Sequence, residues 1–215
     1  MTIEFDGNTL EYEFWTVESS GDEPVVAIVG GSEIVGDLTI PAEIGGKPVT
    51  SIGYSAFSRR SGLMSITIPK GITDIAESAF YGCSGLKTFV VHPDNPAYQS
   101  VSGLLLTKDG KTLVAGVNGD VAVPDGVTFI DYQAFSSRCG LTSVIIPDSV
   151  KSIDHEAFQN CYGLTSVTIP DSVTEIGSSA FDDCSGLKRI SLPKRLKGKL
   201  DFSGCPEDMK ITYRD

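Results

Sequence analysis

A chain of 215 residues with 40% hydrophobic and 21% charged residues has the make-up of a folded protein, which excludes a disordered one. Its formal net charge of −11 repels nucleic acid and anionic lipid, so neither is an expected partner. No apolar run approaches the roughly 18–20 residues that cross a bilayer, and Met1-Thr2-Ile3-Glu4-Phe5-Asp6 lacks the basic and apolar stretches of a signal peptide.

The first elements in chain order are strand-like. Leu10-Glu-Tyr-Glu-Phe14 and Val25-Val-Ala-Ile-Val29 fit an N-terminal β cap over residues 1–36. A repeat then begins and runs over 37–91. Its first unit is widened at Gly45-Gly46, which reads as a loop. After Val91 the repeat breaks. The segment 92–118 contains Thr107-Lys-Asp-Gly-Lys111, and Asp-Gly between apolar runs signals a turn. A β-hairpin is therefore expected within 101–115.

The repeat resumes over 119–193, where it is plainest. Leu141-Thr-Ser-Val-Ile-Ile-Pro-Asp-Ser-Val150 is followed by Leu164-Thr-Ser-Val-Thr-Ile-Pro-Asp-Ser-Val173, and Pro147, Pro170 and Pro193 lie 23 residues apart. Each unit reads Leu-x-x-Val-x-Ile-Pro-Asp-x-Val-x-x-Ile-x-x-x-Ala-Phe-x-x-Cys-x-Gly. The Val-x-Ile alternation predicts a short strand with one buried face. Proline ends it, having no N–H to give a ladder. The rest of each unit is expected to return by an irregular or short helical path. One coil cannot bury its own apolar face, so the coils must stack. Phe57, Phe80, Phe135, Phe158 and Phe181 are then expected to form one continuous interior column, in an array of some seven coils. Residues 194–215, with Phe202 and Cys205, fit a C-terminal cap. The whole is a single domain.

The motifs Ile-Pro-Asp-Ser-Val, Ala-Phe-x-x-Cys and Gly-Leu-Thr-Ser-Val-Thr-Ile-Pro over 141–193 resemble the BspA-type leucine-rich repeats of bacterial surface proteins. The interrupting Asp94-Asn-Pro-Ala-Tyr98 and Lys108-Asp-Gly-Lys-Thr-Leu113 are similar to an insert in such arrays. The resemblance implies a right-handed α/β leucine-rich-repeat solenoid that is used for adhesion or protein binding, is usually exported, and has no catalytic residues or cofactor. An extracellular or cell-surface location is expected on that ground, with the cytoplasm as the alternative.

No Gly-x-Ser-x-Gly elbow, phosphate-binding glycine loop or His-Glu-x-x-His is present, so no catalytic residue is assigned. Cys83, Cys161, Cys184 and Cys205 fall three residues after a repeat phenylalanine, Cys139 four after Phe135. Zinc needs about four convergent ligands, and the two histidines, His92 and His155, fall elsewhere in the repeat. The cysteines are read as small buried hydrophobes and no metal site is expected. Asp154-His155-Glu156 and Asp182-Asp183 read as solvated turns. Arg60 and Arg138 replace the repeat cysteine; each must open to solvent or pair with a carboxylate.

The outward pairs on the strands are Asp37/Thr39, Ser65/Thr67, Thr88/Val90, Asp120/Ala122, Ser143/Ile145, Ser166/Thr168 and Arg189/Ser191. Most are small and polar. Val90, Ala122 and Ile145 form an apolar strip beside the insert, which either covers it with Tyr98 and Leu104 to Leu106 or builds a pocket with it. The expected ligand surface is Thr88, Val90, Ala122, Ser143 and Ile145, with Tyr98 at the rim. The expected function is protein or glycan recognition by a monomer. The competing readings are an intracellular scaffold for a basic protein and a small enzyme.

Overall fold

The computed structural model describes residues 1–5, 7–15, 25–32 and 34–215. β1 (Thr2–Phe5), β2 (Asn8–Trp15) and β3 (Val25–Ser32) pair antiparallel in sequence order, as the expected cap. Its residues 16–24 lie outside the described residues.

The first coil contributes β4 (Gly36–Thr39), β5 (Glu43–Ile44) and β6 (Lys47–Ile52). The widened loop is an antiparallel turn of β5 on β6, made possible by positive φ at Gly45 (60°) and Gly46 (74°). β3 runs parallel to β6 and so fastens the cap to the array. β7 (Leu63–Ile68), β8 (Asp74–Ile75) and β9 (Thr88–Val91) follow. The insert supplies β10 (Tyr98–Val101), β11 (Leu104–Thr107) and β12 (Thr112–Ala115), an antiparallel meander that contains the expected hairpin. Asp109 organises its turn by accepting from the Thr107 hydroxyl (2.7 Å) and the Lys111 amide (2.9 Å). The second run of coils supplies β13 (Gly119–Ala122), β14 (Phe129–Ile130), β15 (Leu141–Ile145), β16 (Ser152–Ile153), β17 (Ser166–Thr168) and β18 (Glu175–Ile176). β19 (Arg189–Pro193) and β20 (Lys210–Arg214) end the chain.

Two parallel stacks result. Among the described residues the face sheet has eight strands in three runs, β4-β7-β9, β13-β15 and β17-β19-β20, one more than the seven coils expected. The return sheet is built from two-residue strands, among them β14, β16 and β18, and β12 of the insert joins it as a parallel member. The alternation explains the face sheet: Leu164, Val167 and Ile169 point inward and are buried, while Thr165 and Thr168 point out.

The returns are not helical, which corrects the α/β expectation. The only helical turn among the described residues is a 3-10 turn at Lys194–Leu196. Each Ala-Phe pair is flanked by left-handed residues. Two before the phenylalanine stand Ser55, Ser78, Gln133, Glu156 and Ser179, at φ from 54° to 58°. Two after it stand Arg59, Ser137, Asn160 and Asp183, at φ from 56° to 60°. A left-handed residue cannot continue a right-handed helix. The turn amides look to the next coil instead: Phe57 donates to Ala79 O (2.9 Å), Phe135 to Ala157 O (2.7 Å) and Phe158 to Ala180 O (2.8 Å).

The phenylalanine column is also broken. Phe57 stacks on Phe80 at 5.9 Å, and Phe135, Phe158 and Phe181 stack at 4.9 and 5.0 Å. Between them the interrupted coil carries Gly116, where a Cβ would stand 2.1 Å from the Phe135 ring. Phe89, on β9, meets Phe80 edge to face at 5.0 Å.

Candidate binding surface on the sheet face

The ladder positions the expected site residues. Ala122 lies opposite Ile145 and Asp120 opposite Ser143, in the β13–β15 register. Ile145 is 67% exposed. The Ser143 and Thr142 hydroxyls donate to one Asp120 oxygen at 2.7 and 2.6 Å. Those two hydrogen bonds hold the exposed Asp120 carboxyl below its ordinary pKa. Ala122, Ser143 and Ile145 therefore form one patch.

Thr88 and Val90 are elsewhere. They sit on β9, where Val90 pairs with Thr67, and no bridge joins β9 to β13 among the described residues. Val90 is 48% exposed, and the Thr88 hydroxyl turns to its neighbour's carbonyl, Phe89 O. Tyr98 is not at a rim on this face: its hydroxyl accepts from the Ile75 amide (3.0 Å) on the return sheet, and burial pushes its pKa up. The insert does not cover the strip. Leu104, Leu105 and Leu106 are buried in the core, because β11 and β12 stand in for part of a coil and do not fold across one. Asn95 sets this path: its side-chain amide donates to Pro69 O and Ile72 O, and its oxygen accepts from Ala97 and Tyr98.

A groove of about 650 Å³ runs along the face between β15 and β17. Ser143 and Ile145 line one side, Ser166 and Thr168 the other, with Asp148 and the Asp171–Arg214 ion pair (2.9 Å) at one end. The sequence reading named Ser143 and Ile145 and missed the opposite bank. It also missed that the two strands part here.

Arg138 departs from its expectation. It is 1% exposed and meets no carboxylate among the described residues. Its guanidinium donates to Gly116 O (2.9 Å), Phe80 O (3.1 Å) and Ser136 O (3.4 Å), while burial lowers its pKa. Asn118 makes a second tie, donating to Ser84 O and Leu86 O and accepting from the Gly140 amide, all at 2.9 Å. The half-buried Arg60 carries a buried Nε with no hydrogen-bond partner.

The cysteines have a backbone role. Cys83, Cys161, Cys184 and Cys205 each donate a thiol to the phenylalanine carbonyl of the preceding coil, Phe57, Phe135, Phe158 and Phe181, at 3.0 to 3.2 Å. Burial pushes the Cys161 thiol up to about 12. All five thiols are free. Asp154-His155-Glu156 forms a return-side turn in which Glu156 accepts from Gln133 (2.6 Å).

The BspA type leucine-rich repeat region matches in 6 copies, over residues 37–100 and 119–213, and so skips the hairpin. A leucine-rich repeat protein from Eubacterium ventriosum has a similar structure, with a TM-score of 0.71 and 25% identity over 84% of this chain and 48% of its own. The chain thus spans about half the length of that relative. A leucine rich cell surface protein from Faecalibacterium prausnitzii is 25% identical, at TM-score 0.48 over 89% of this chain and 54% of its own. The pneumococcal vaccine antigen PcpA is 17% identical, at TM-score 0.48 over 100% of this chain and 88% of its own. No curated protein sequence matches the chain. With repeat, stacked strands and matched segments in agreement, the chain belongs to the BspA-type leucine-rich repeat family.

Proposed function

We propose that the domain is a non-catalytic binding module that recognises a protein or glycan at a bacterial cell surface through its sheet face. The observation that supports it most is Ile145, a large apolar side chain 67% exposed on a rigid ladder and lining the groove. The groove offers an apolar contact, hydroxyls and carboxylates, a set suited to recognition. Its Ser143 hydroxyl donates to Asp120, and no histidine is among its lining residues; His155, hydrogen-bonded to Ser178 at 2.8 Å, is on the return side. The surface setting rests on the family resemblance. Burying one large side chain is worth about 1.5–3 kcal/mol, so single-site affinity is low and presentation in many copies raises it.

The test is capture from host-surface extract by the immobilised chain and two variants. Ile145→Asp should abolish capture while Val90→Asp, on the separate run, retains it. Capture that survives Ile145→Asp but is lost on mutating the turns at Arg60 or Asp182 moves the site to the return side.

A further inference from the structure

The insert coil returns by a shorter path than its neighbours. Ile75 and Ile130 stand five residues before Phe80 and Phe135. Leu113, which pairs with Ile130, stands three before Gly116, and Gly116 takes the phenylalanine position by donating to Ala134 O (2.7 Å). The shortened turn leaves a cavity of about 70 Å³ on the return side, between the turns at 75–81 and 131–133, with Val114 and Ala115 beneath. At roughly 30 Å³ of liquid volume per water, it admits a molecule of a few heavy atoms. The Ser78 hydroxyl donates to Gln133 Oε1 (2.9 Å) and ties the two walls together.

The walls carry opposite charges that do not meet. Arg138 lines the cavity fully buried, with no carboxylate within ion-pair distance among the described residues. Its Nε gives one hydrogen bond, Nη1 two and Nη2 one, all to carbonyls, so one of the five guanidinium N–H groups is unused. Asp131 lines the same cavity half-buried. Its carboxylate accepts from the Tyr132 amide and has no cation within ion-pair distance among the described residues. Two amides are also open. Ser55 and Phe57 donate to Glu77 O (3.3 Å) and Ala79 O (2.9 Å) of the next coil, and Gln133 and Phe135 to His155 O (3.2 Å) and Ala157 O (2.7 Å). Ser78 and Phe80, at the same positions on the cavity wall, donate to no described residue.

We infer that this cavity binds a small free α-amino acid, with its carboxylate toward Arg138 and its ammonium toward Asp131. The site is separate from the sheet face and does not rest on that reading. A guanidinium N–H and two main-chain amides are a donor set suited to a carboxylate. A simple anion would bring its charge close to Asp131 and to the exposed Glu77, which lines the same cavity. A simple cation would leave the buried guanidinium without a counter-charge. A zwitterion supplies both partners at no net charge. The volume restricts the side chain to the smallest, those of glycine and alanine.

Titration calorimetry of the full chain with glycine, alanine, acetate and methylammonium tests this. Glycine or alanine should bind saturably at one site, with acetate and methylammonium each weaker by about tenfold or more, as expected for losing one charged hydrogen-bonding partner. Asp131→Asn should remove that preference, weakening glycine by about tenfold while acetate binds no worse. Arg138→Met should abolish binding of both. If Arg138→Met does not fold, Asp131→Asn decides alone, and unchanged glycine affinity in it overturns the inference. So does the absence of saturable heat with glycine and alanine, which would leave the cavity to water. Acetate binding as tightly as glycine overturns it as well, since the site then takes an anion alone.

Discussion

The guanidinium of Arg138 donates to the carbonyl of Phe80, 58 residues earlier, across a coil that has lost its Ala-Phe turn. In an unbroken array a cysteine thiol reaches one coil back from this position. The longer side chain spans the interrupted coil, bonding Gly116 O on the way. Arg138→Met should cost about 2–4 kcal/mol by leaving these buried carbonyls unpaired. Arg60→Met should cost less, since the half-buried Arg60 spans no such gap. Urea midpoints for the two variants compare them; equal losses would show that Arg138 has no special place.

Phe158 is fully buried between Phe135 and Phe181, with its ring within 8° of parallel to the first and 1° of the second. Phe158→Ala should cost about 3–5 kcal/mol through the cavity it leaves in the longer stack. A denaturant midpoint equal to that of the wild type would remove the stack from the core.

Ser179 holds a left-handed backbone at φ 56°. Glycine adopts this conformation without the Cβ clash, so Ser179→Gly should be neutral or gain up to about 1 kcal/mol after its higher unfolded-state entropy is offset. Ser179→Val should lose about 1–2 kcal/mol, because a β-branched side chain tolerates positive φ least. Thermal unfolding of the pair reads the difference. Valine and glycine variants of equal stability would mean that the turn relaxes freely.

Burial raises the pKa of Asp131, helped by the nearby charges of Asp154 and Glu77, against an amide hydrogen bond from Tyr132. A carboxyl whose folded pKa lies above its unfolded one binds its proton more tightly when folded. Its charged form is therefore a cost to the native state at neutral pH. That cost is relieved as pH falls through the folded value. Asp131→Asn, which keeps the acceptor for Tyr132, should raise the melting temperature at pH 7. The gain should shrink toward zero as the acidic range is entered. A gain independent of pH would assign the effect to packing.

Strand register and the inward Leu-Val-Ile pattern were largely legible, because each follows from the 23-residue spacing and the alternation around Val144 and Val167, while the expected seven coils fell one short of the eight face strands. The hairpin was legible from Asp109-Gly110. The helical returns were misread: Ser, Gln and Glu two residues before phenylalanine carry no sign of left-handed backbone, which stacking imposes on them. Arg138 was noticed for its place, but its acceptors lie at Phe80 and Gly116, distant in sequence. Of the site, Ser143, Ile145 and Ala122 were placed on one patch, while Tyr98 turned to Ile75. The parting of β15 from β17 was not legible, since Leu141–Ile146 and Leu164–Ile169 differ at one residue.

The division of the phenylalanine rings into a pair and a trio bears on how the chain comes apart. In a linear array, cooperativity is carried from each unit to the next, and the weakest junction decides whether melting is one event or two. Here that junction is bridged by the hydrogen bonds of Arg138 and Asn118 and by the insert strands, in place of ring-on-ring contact. The two halves should therefore melt as neighbouring units, and weakening the Arg138 and Asn118 bonds should split one unfolding transition into two, which calorimetry of Arg138→Met checks.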